Sequence, residues 1–153
     1  MRALELKVPP PAVVLLIGAA MWGASLIGAP IPTPDGVRHI VAAAIALAGG
    51  GIDLAGLISF RRARTTVNPL KPGNASSLVT SGIYRLTRNP MYLGLLLVLL
   101  AWAVFLSSVW ALAGPVAFVL YINRFQISPE ERILATMFGA PYSDYKAKVP
   151  KWL

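Results

Sequence analysis

Residues 78–94 read LVTSGIYRLTRNPMYLG, a polar and basic segment that runs without a break into an apolar helix. The polar part carries Arg85 and Arg88, and the apolar part opens at Pro90 and continues to Leu106 without a charge. A junction of this kind belongs at the edge of a membrane, where polar groups meet dissolved ligands while the helix enters lipid. Before it the chain reads as membrane anchor, and after it as a wall and lid for the same site.

Composition sets the class. Of 153 residues 56% are hydrophobic and only 13% charged, and the mean hydropathy is +0.65. A soluble domain of this size has too much surface for so few charges, which makes an integral membrane protein the expected class. The chain has no cysteine, so disulfides, thiolate nucleophiles and cysteine metal sites are excluded. The single histidine, His39, leaves no histidine-based metal centre, and no metal is expected. The net charge of +8 lies in blocks between apolar runs, which fits the basic flanks of membrane spans and argues against a nucleic-acid partner.

Working outward, the first apolar run covers about Pro11 to Gly28, long enough at about 1.5 Å per residue to reach across a bilayer core. Arg2 and Lys7 precede it as in a signal peptide, but no Ala-x-Ala is obvious near Gly28 and a second apolar run follows, so it reads as a retained first helix. Ala29 to Gly36 holds three prolines and a glycine and must turn. The second run, Val37 to Phe60, is rich in small residues (Gly49, Gly50, Gly51 and Gly56) that permit close helix packing. Asp53 lies inside it and must face the protein interior or a wet cavity. Its first reading is an interhelical hydrogen bond or a protonated acid, with a direct substrate role as the lesser one.

Arg61 to Asn89 forms the longest polar loop, of a length that usually carries function or lacks structure. Pro90–Leu106 and Val109–Ile122 follow as a helical hairpin joined only by Ser107 and Ser108, with a kink expected at Pro115. Ser128-Pro129-Glu130-Glu131 has the letters of a helix start, running to Phe138 and stopping at Gly139. A second short helix is expected from Pro141 to Val149, with Trp152 at the interface. If the N-terminus, the long loop and the tail share one side, every Lys and Arg except Arg38 lies there, and the positive-inside rule makes it cytoplasmic. The expectation is one all-α membrane domain over 1–153, a bundle of about four transmembrane helices with short C-terminal cytoplasmic helices. Residues 1–60 form a two-helix anchor, and 61–153 form the binding loop, hairpin and C-terminal helices.

At the helix entrance, Asn89 is a good N-cap and Pro90 fits the first turn, where free N–H groups favour an anionic group. Arg85 and Arg88 add positive charge, Tyr84 and Tyr92 add ring faces and hydroxyls, and Gly94 leaves room against the helix. Glu130 and Glu131 have an ordinary structural reading, since acids in a first turn stabilise it by about 0.3–1 kcal/mol. They could instead hold an ammonium group or ribose hydroxyls, because both segments emerge on the same side of the membrane.

These residues carry a resemblance. Leu78-Val79-Thr80-Ser81-Gly82-Ile83-Tyr84 with Arg88-Asn89-Pro90-Met91-Tyr92-Leu93-Gly94 resembles the cofactor signature of the isoprenylcysteine carboxyl methyltransferase and phospholipid methyltransferase superfamily. Glu130-Glu131, Phe138-Gly139, Tyr142, Tyr145 and Val149-Pro150 are similar to its C-terminal half, so the likeness covers about Asn68 to Leu153. It implies a multi-pass membrane enzyme using S-adenosylmethionine, with S-adenosylhomocysteine as product. Carried over, it places Leu78, Val79, Asn89, Pro90, Tyr92, Gly94, Glu130 and Glu131 at the cofactor, and Arg88, Arg124 and Glu131 in catalysis. Asn89 stands where the family usually has His, and Ser76 where many members have another, which leaves the acceptor open.

Methyl transfer is an in-line displacement in which alignment is the protein's main task. No histidine base is placed for an amine, which favours an acceptor already anionic, a carboxylate or thiolate that is small or lipid-like and reached from the membrane lipids. A prenylcysteine-type acceptor is compatible with the resemblance. The alternatives are a phospholipid amine N-methyltransferase, with Glu130 or Glu131 taking the proton, and a non-enzymatic scaffold or subunit whose polar loop docks a partner. A membrane reductase with a nicotinamide site is a further reading.

Overall fold

The computed structural model describes residues 5–63 and 77–153. Much of the polar loop, including Ser76, lies outside them. The described residues are helical, with α1 over Pro10–Ser25, α2 over Asp35–Arg62, α3 over Pro90–Leu106, α4 over Ala113–Ile122, α5 over Ser128–Phe138 and α6 over Ala140–Lys148. Single 3₁₀ turns cover Gly82–Arg85 and Val109–Leu112, and a π-helical turn covers Asn123–Ile127. The extended backbone that does pair is one isolated bridge between Pro30 and Ser108.

Among the described residues one helix, α2 with 28 residues, is long and apolar enough to cross a bilayer. The helices α1 and α3 are apolar but hold 16 and 17 residues, and α4 holds 10. At about 1.5 Å per residue these three reach about 24, 26 and 15 Å against a core of about 30 Å. The expected set of about four spans is therefore matched by length in α2 alone. Large apolar side chains on the outside, including Leu15, Leu16, Ile40, Leu47, Leu120 and Trp110, are mostly exposed, the pattern of a surface that faces lipid.

The core is where α1, α3 and α4 meet, around Val13, Met21, Leu99, Ala103, Ala111, Phe118 and Ile122. The Trp102 indole N–H closes one seam by donating to the Gly18 carbonyl at 3.0 Å. Small residues make the α2–α3 pairing. A Cβ at Gly49 would meet the Gly94 carbonyl, and a Cβ at Gly94 would meet the Gly49 carbonyl and the Asp53 carboxylate. The two backbones approach as closely as glycine allows.

Three local expectations change. The fourth apolar run is not one kinked helix: it opens as a 3₁₀ turn, and α4 proper begins at Ala113. That puts Pro115 in the first turn, where its missing N–H has no helical partner to lose. Second, α5 has no capped start, because Ser128 has helical backbone angles (φ −60°, ψ −45°) and continues the π turn. Its hydroxyl donates to the Asn123 carbonyl at 2.7 Å. Pro129 cannot supply the N–H that would bond Phe125, and that carbonyl accepts from Leu6 N–H at 3.0 Å instead. Third, Asn89 flanks α3 without a side-chain cap. The stops hold better: Ser107 takes a left-handed conformation (φ 49°) between α3 and the next turn, and Gly139 takes φ 55° between α5 and α6.

Candidate functional site

A cavity of about 750 Å³ opens between α2, the entrance to α3, and α5 with α6. Its size lies within the range of about 300–1,000 Å³ common for small-molecule sites.

The floor is the segment before α3. Gly82 (φ 62°) lets the chain turn into the short 3₁₀ helix, which buries Tyr84 edge-on against Phe60 of α2 at 5.4 Å between ring centroids. The C-terminal tail then stitches residues 87–89 in place. Arg88 N–H donates to Pro150 O at 3.0 Å, and Arg88 Nε donates to Val149 O at 3.0 Å. Lys151 O accepts from Thr87 Oγ1 at 3.2 Å and from Asn89 Nδ2 at 3.0 Å. The Asn89 amide thus holds the tail instead of capping the helix. This hydrogen bond to the tail needs no imidazole.

The polar wall is built from two carboxylates of α5. Tyr92 OH donates to Glu130 Oε1 at 2.5 Å. Arg88 Nη1 donates to Glu131 Oε1 at 2.6 Å, with side chains only 9% and 14% exposed. Lys146 Nζ takes the other Glu131 oxygen at 2.8 Å. Burial would raise Glu131, but the Lys146 hydrogen bond and the charges of Arg88, Lys151 and Lys146 hold it below the usual carboxylate range. Glu130 goes the other way: burial pushes it up to about 7, with the Tyr92 hydrogen bond opposing and the Glu131 charge adding. Neighbouring carboxylates whose environments drive their pKa values apart are a common mark of functional sites. Burial, and then the Tyr145, Glu130 and Asp53 groups, keep the Tyr84 phenol protonated. Tyr145 OH donates to Tyr84 O at 2.7 Å and ties α6 to the floor.

Of the residues singled out from sequence, Leu78, Val79, Arg88, Asn89, Tyr92, Glu130 and Glu131 line this cavity. Pro90 and Gly94 do not. Pro90 is buried in the first turn of α3, and Gly94 faces α2, so the room it leaves is taken by Gly49 and Asp53. Arg124, expected near the reacting end, instead pairs with Glu5 at 2.8 Å and is 45% exposed. The π turn and the N-terminal strap decide that: Gln126 Nε2 donates to Val8 O at 2.7 Å, and Arg132 joins Arg124 on Glu5.

The sequence reading missed the contribution of the anchor. Pro9, Pro10 and Pro11 line one side, and Asp53, Leu54, Leu57 and Phe60 of α2 line another, facing Met91 and Leu95 of α3. The available signal was Asp53 itself, the one acid within an apolar run. The first reading of Asp53 is an interhelical hydrogen bond or a protonated acid; the hydrogen bond is not met at Oδ1, which is buried without a hydrogen-bond partner among the described residues.

A family model described as phospholipid methyltransferase matches residues 37–141, which runs from the start of α2 into α6. An uncharacterized protein of Haemophilus influenzae is 51% identical over 63 residues, 41% of this chain and the whole of that protein. A probable protein-S-isoprenylcysteine O-methyltransferase of Oryza sativa, in both subspecies indica and japonica, is 41% identical over 78 residues. That match spans 47% of this chain and 38% of the rice protein.

Proposed function

The chain belongs to the phospholipid methyltransferase family, and from that premise we propose that it is a membrane enzyme transferring methyl groups from S-adenosylmethionine to a small or lipid-like acceptor. The observation that carries this reading is the joining of the two signature segments at one cavity, through the Tyr92–Glu130 and Arg88–Glu131 contacts.

The residues present fit such a cofactor. Tyr92 occupies one Glu130 oxygen, and the carboxyl group has a second for an ammonium group or a ribose hydroxyl. Leu78 and Val79 offer apolar surface to the same cavity. When bound, S-adenosylmethionine would supply an electrophilic methyl group on a positively charged sulfur, with a neutral thioether as the leaving group. Arg88 and Glu131 act by position: paired with each other, and with Arg88 also bound to the tail, they fix the entrance to α3 against α5. The apolar side formed by Leu54, Leu57, Phe60, Met91 and Leu95 suits a hydrocarbon chain entering from lipid. In this reading α1 to α4 lie in the membrane with both termini on the cytoplasmic side.

The test uses the full chain purified in detergent and again in lipid. S-adenosylmethionine and S-adenosylhomocysteine should bind at about micromolar level, as is common for enzyme ligands. A screen over thiols, prenylcysteine analogues, fatty acids and phospholipids should then find one acceptor class that takes up labelled methyl. No binding in either environment would end the proposal.

A further inference from the structure

The cavity has a second polar feature, set apart from the α5 wall. Asp53 sits on α2 among Leu54, Leu57 and Phe60, on the apolar side. Its carboxylate is seated over Gly94, where any Cβ would collide with it. Its Oδ1 is buried and has no partner among the described residues. An unpaired buried acceptor costs stability, and an unpaired charge costs more, and ionisable groups in a spanning helix mark ligand or ion pathways. The sequence also provides the recess: the missing Cβ of Gly94 leaves the space in which Oδ1 is seated, at the α2–α3 seam beside the cavity.

The charges of the lining point the same way. Among the described residues lining the cavity the acids are Asp53, Glu130 and Glu131, and the one cation is Arg88. Arg88 is already paired with Glu131. What remains to meet a ligand is acidic.

We propose that Asp53 is a binding residue of this cavity, the anionic contact for a positively charged centre of a ligand. This rests on the reading of the cavity as a methyltransferase site. Two sources share the chemistry: the sulfonium of the cofactor, and an ammonium group on the methyl acceptor. An acceptor carboxylate would be repelled from the same wall.

Asp53→Asn tests it, because the amide keeps the shape and removes the charge. The first arm compares S-adenosylmethionine with S-adenosylhomocysteine, which lacks the sulfonium charge, by equilibrium binding. The second compares decylamine with decanoate on S-adenosylhomocysteine-loaded protein in lipid, by thermal shift. If Asp53 faces the sulfonium, the variant loses about tenfold in preference for the charged cofactor; if it faces the acceptor, it loses a similar factor in preference for the amine. Both preferences within about twofold of the parent, whatever the melting temperature, would overturn the proposal. If the parent protein binds neither cofactor form, the methyltransferase reading itself has failed, and the two failures are distinguishable. Should Asp53→Asn not fold, Asp53→Ser is read in its place, since a shorter side chain cannot crowd Gly94.

Discussion

Glu130 should make cofactor binding depend on pH in a way its neighbour Glu131 does not. Burial holds the Glu130 carboxyl up to about 7. Near neutrality it is therefore about half ionised, falling to about one tenth at pH 6 and rising to about nine tenths at pH 8. Tyr92 already donates to one of its oxygens, and a ligand ammonium group or hydroxyl pairs best with the ionised form. If that form alone binds, affinity for S-adenosylhomocysteine should rise about tenfold between pH 6 and pH 8, about 1.4 kcal/mol. Glu130→Gln should be weaker at high pH and flat across the range. The ligand titrates too, so the difference between the parent and Glu130→Gln is the quantity to read.

The stability of the free protein carries the same signature with the opposite sense. The folded pKa of Glu130 lies above its unfolded value, so its contribution is full below the unfolded pKa of about 4.5 and is lost as pH rises through about 7. Melting temperature without ligand should fall over that window in the parent and fall less in Glu130→Gln. Isothermal titration and thermal unfolding at pH 6, 7 and 8 measure both. Affinity that is flat in the parent, or that keeps its slope in Glu130→Gln, would refute the assignment of this carboxylate to the ligand.

Three further outcomes are expected. Glu131→Ala leaves Arg88, 9% exposed, without its carboxylate, and should destabilise the protein by about 3–5 kcal/mol; unfolding in detergent at parental stability would show that the pair does not hold α5 to α3. Gly94→Ala drives a Cβ into the Asp53 carboxylate and the Gly49 carbonyl and should cost about 1–3 kcal/mol, seen as a lower melting temperature. Truncation after Lys148 removes the carbonyl acceptors that Thr87, Arg88 and Asn89 use, and should reduce cofactor affinity at least about tenfold while circular dichroism keeps its helical intensity.

What was legible in the sequence was local. Apolar runs marked α1 to α3 because long stretches with so few charges can only be buried or lipid-facing. Gly139 marked a stop because few other residues tolerate its backbone angles. The resemblance and a shared side of the membrane grouped Arg88, Glu130 and Glu131 at one site, but their pairing was not legible. Taken as residues alone, Arg88 and Glu131 read as a flanking cation and a first-turn acid, and only tertiary packing joins them at 2.6 Å. Asn89 had the letter of a cap but its amide is claimed by Lys151 O, 62 positions along the chain. Gly94 read as room for a ligand because sequence gives no direction around a helix; the face it opens is the one packed on α2.

The second helix start shows how this error arises and what it changes. Residues 128–131 carry nearly the same grammar as 89–90, yet α4 arrives at Ser128 still wound. A proline met inside a helix normally strands the carbonyl four residues back. Here that carbonyl belongs to Phe125, and the N-terminal strap supplies Leu6 N–H to it, while the Ser128 hydroxyl takes Asn123. With both carbonyls satisfied, the helix passes through Pro129 by widening to a π turn instead of stopping. Each residue added by such a turn rotates the downstream helix by about 100° relative to a continued α-helix. The facing of Glu130 toward Tyr92 is therefore set by the strap and the π turn acting together. Residues 5–11, at the entrance to the first apolar run, thus help orient a carboxylate placed more than a hundred residues later, and line the same cavity through Pro9, Pro10 and Pro11.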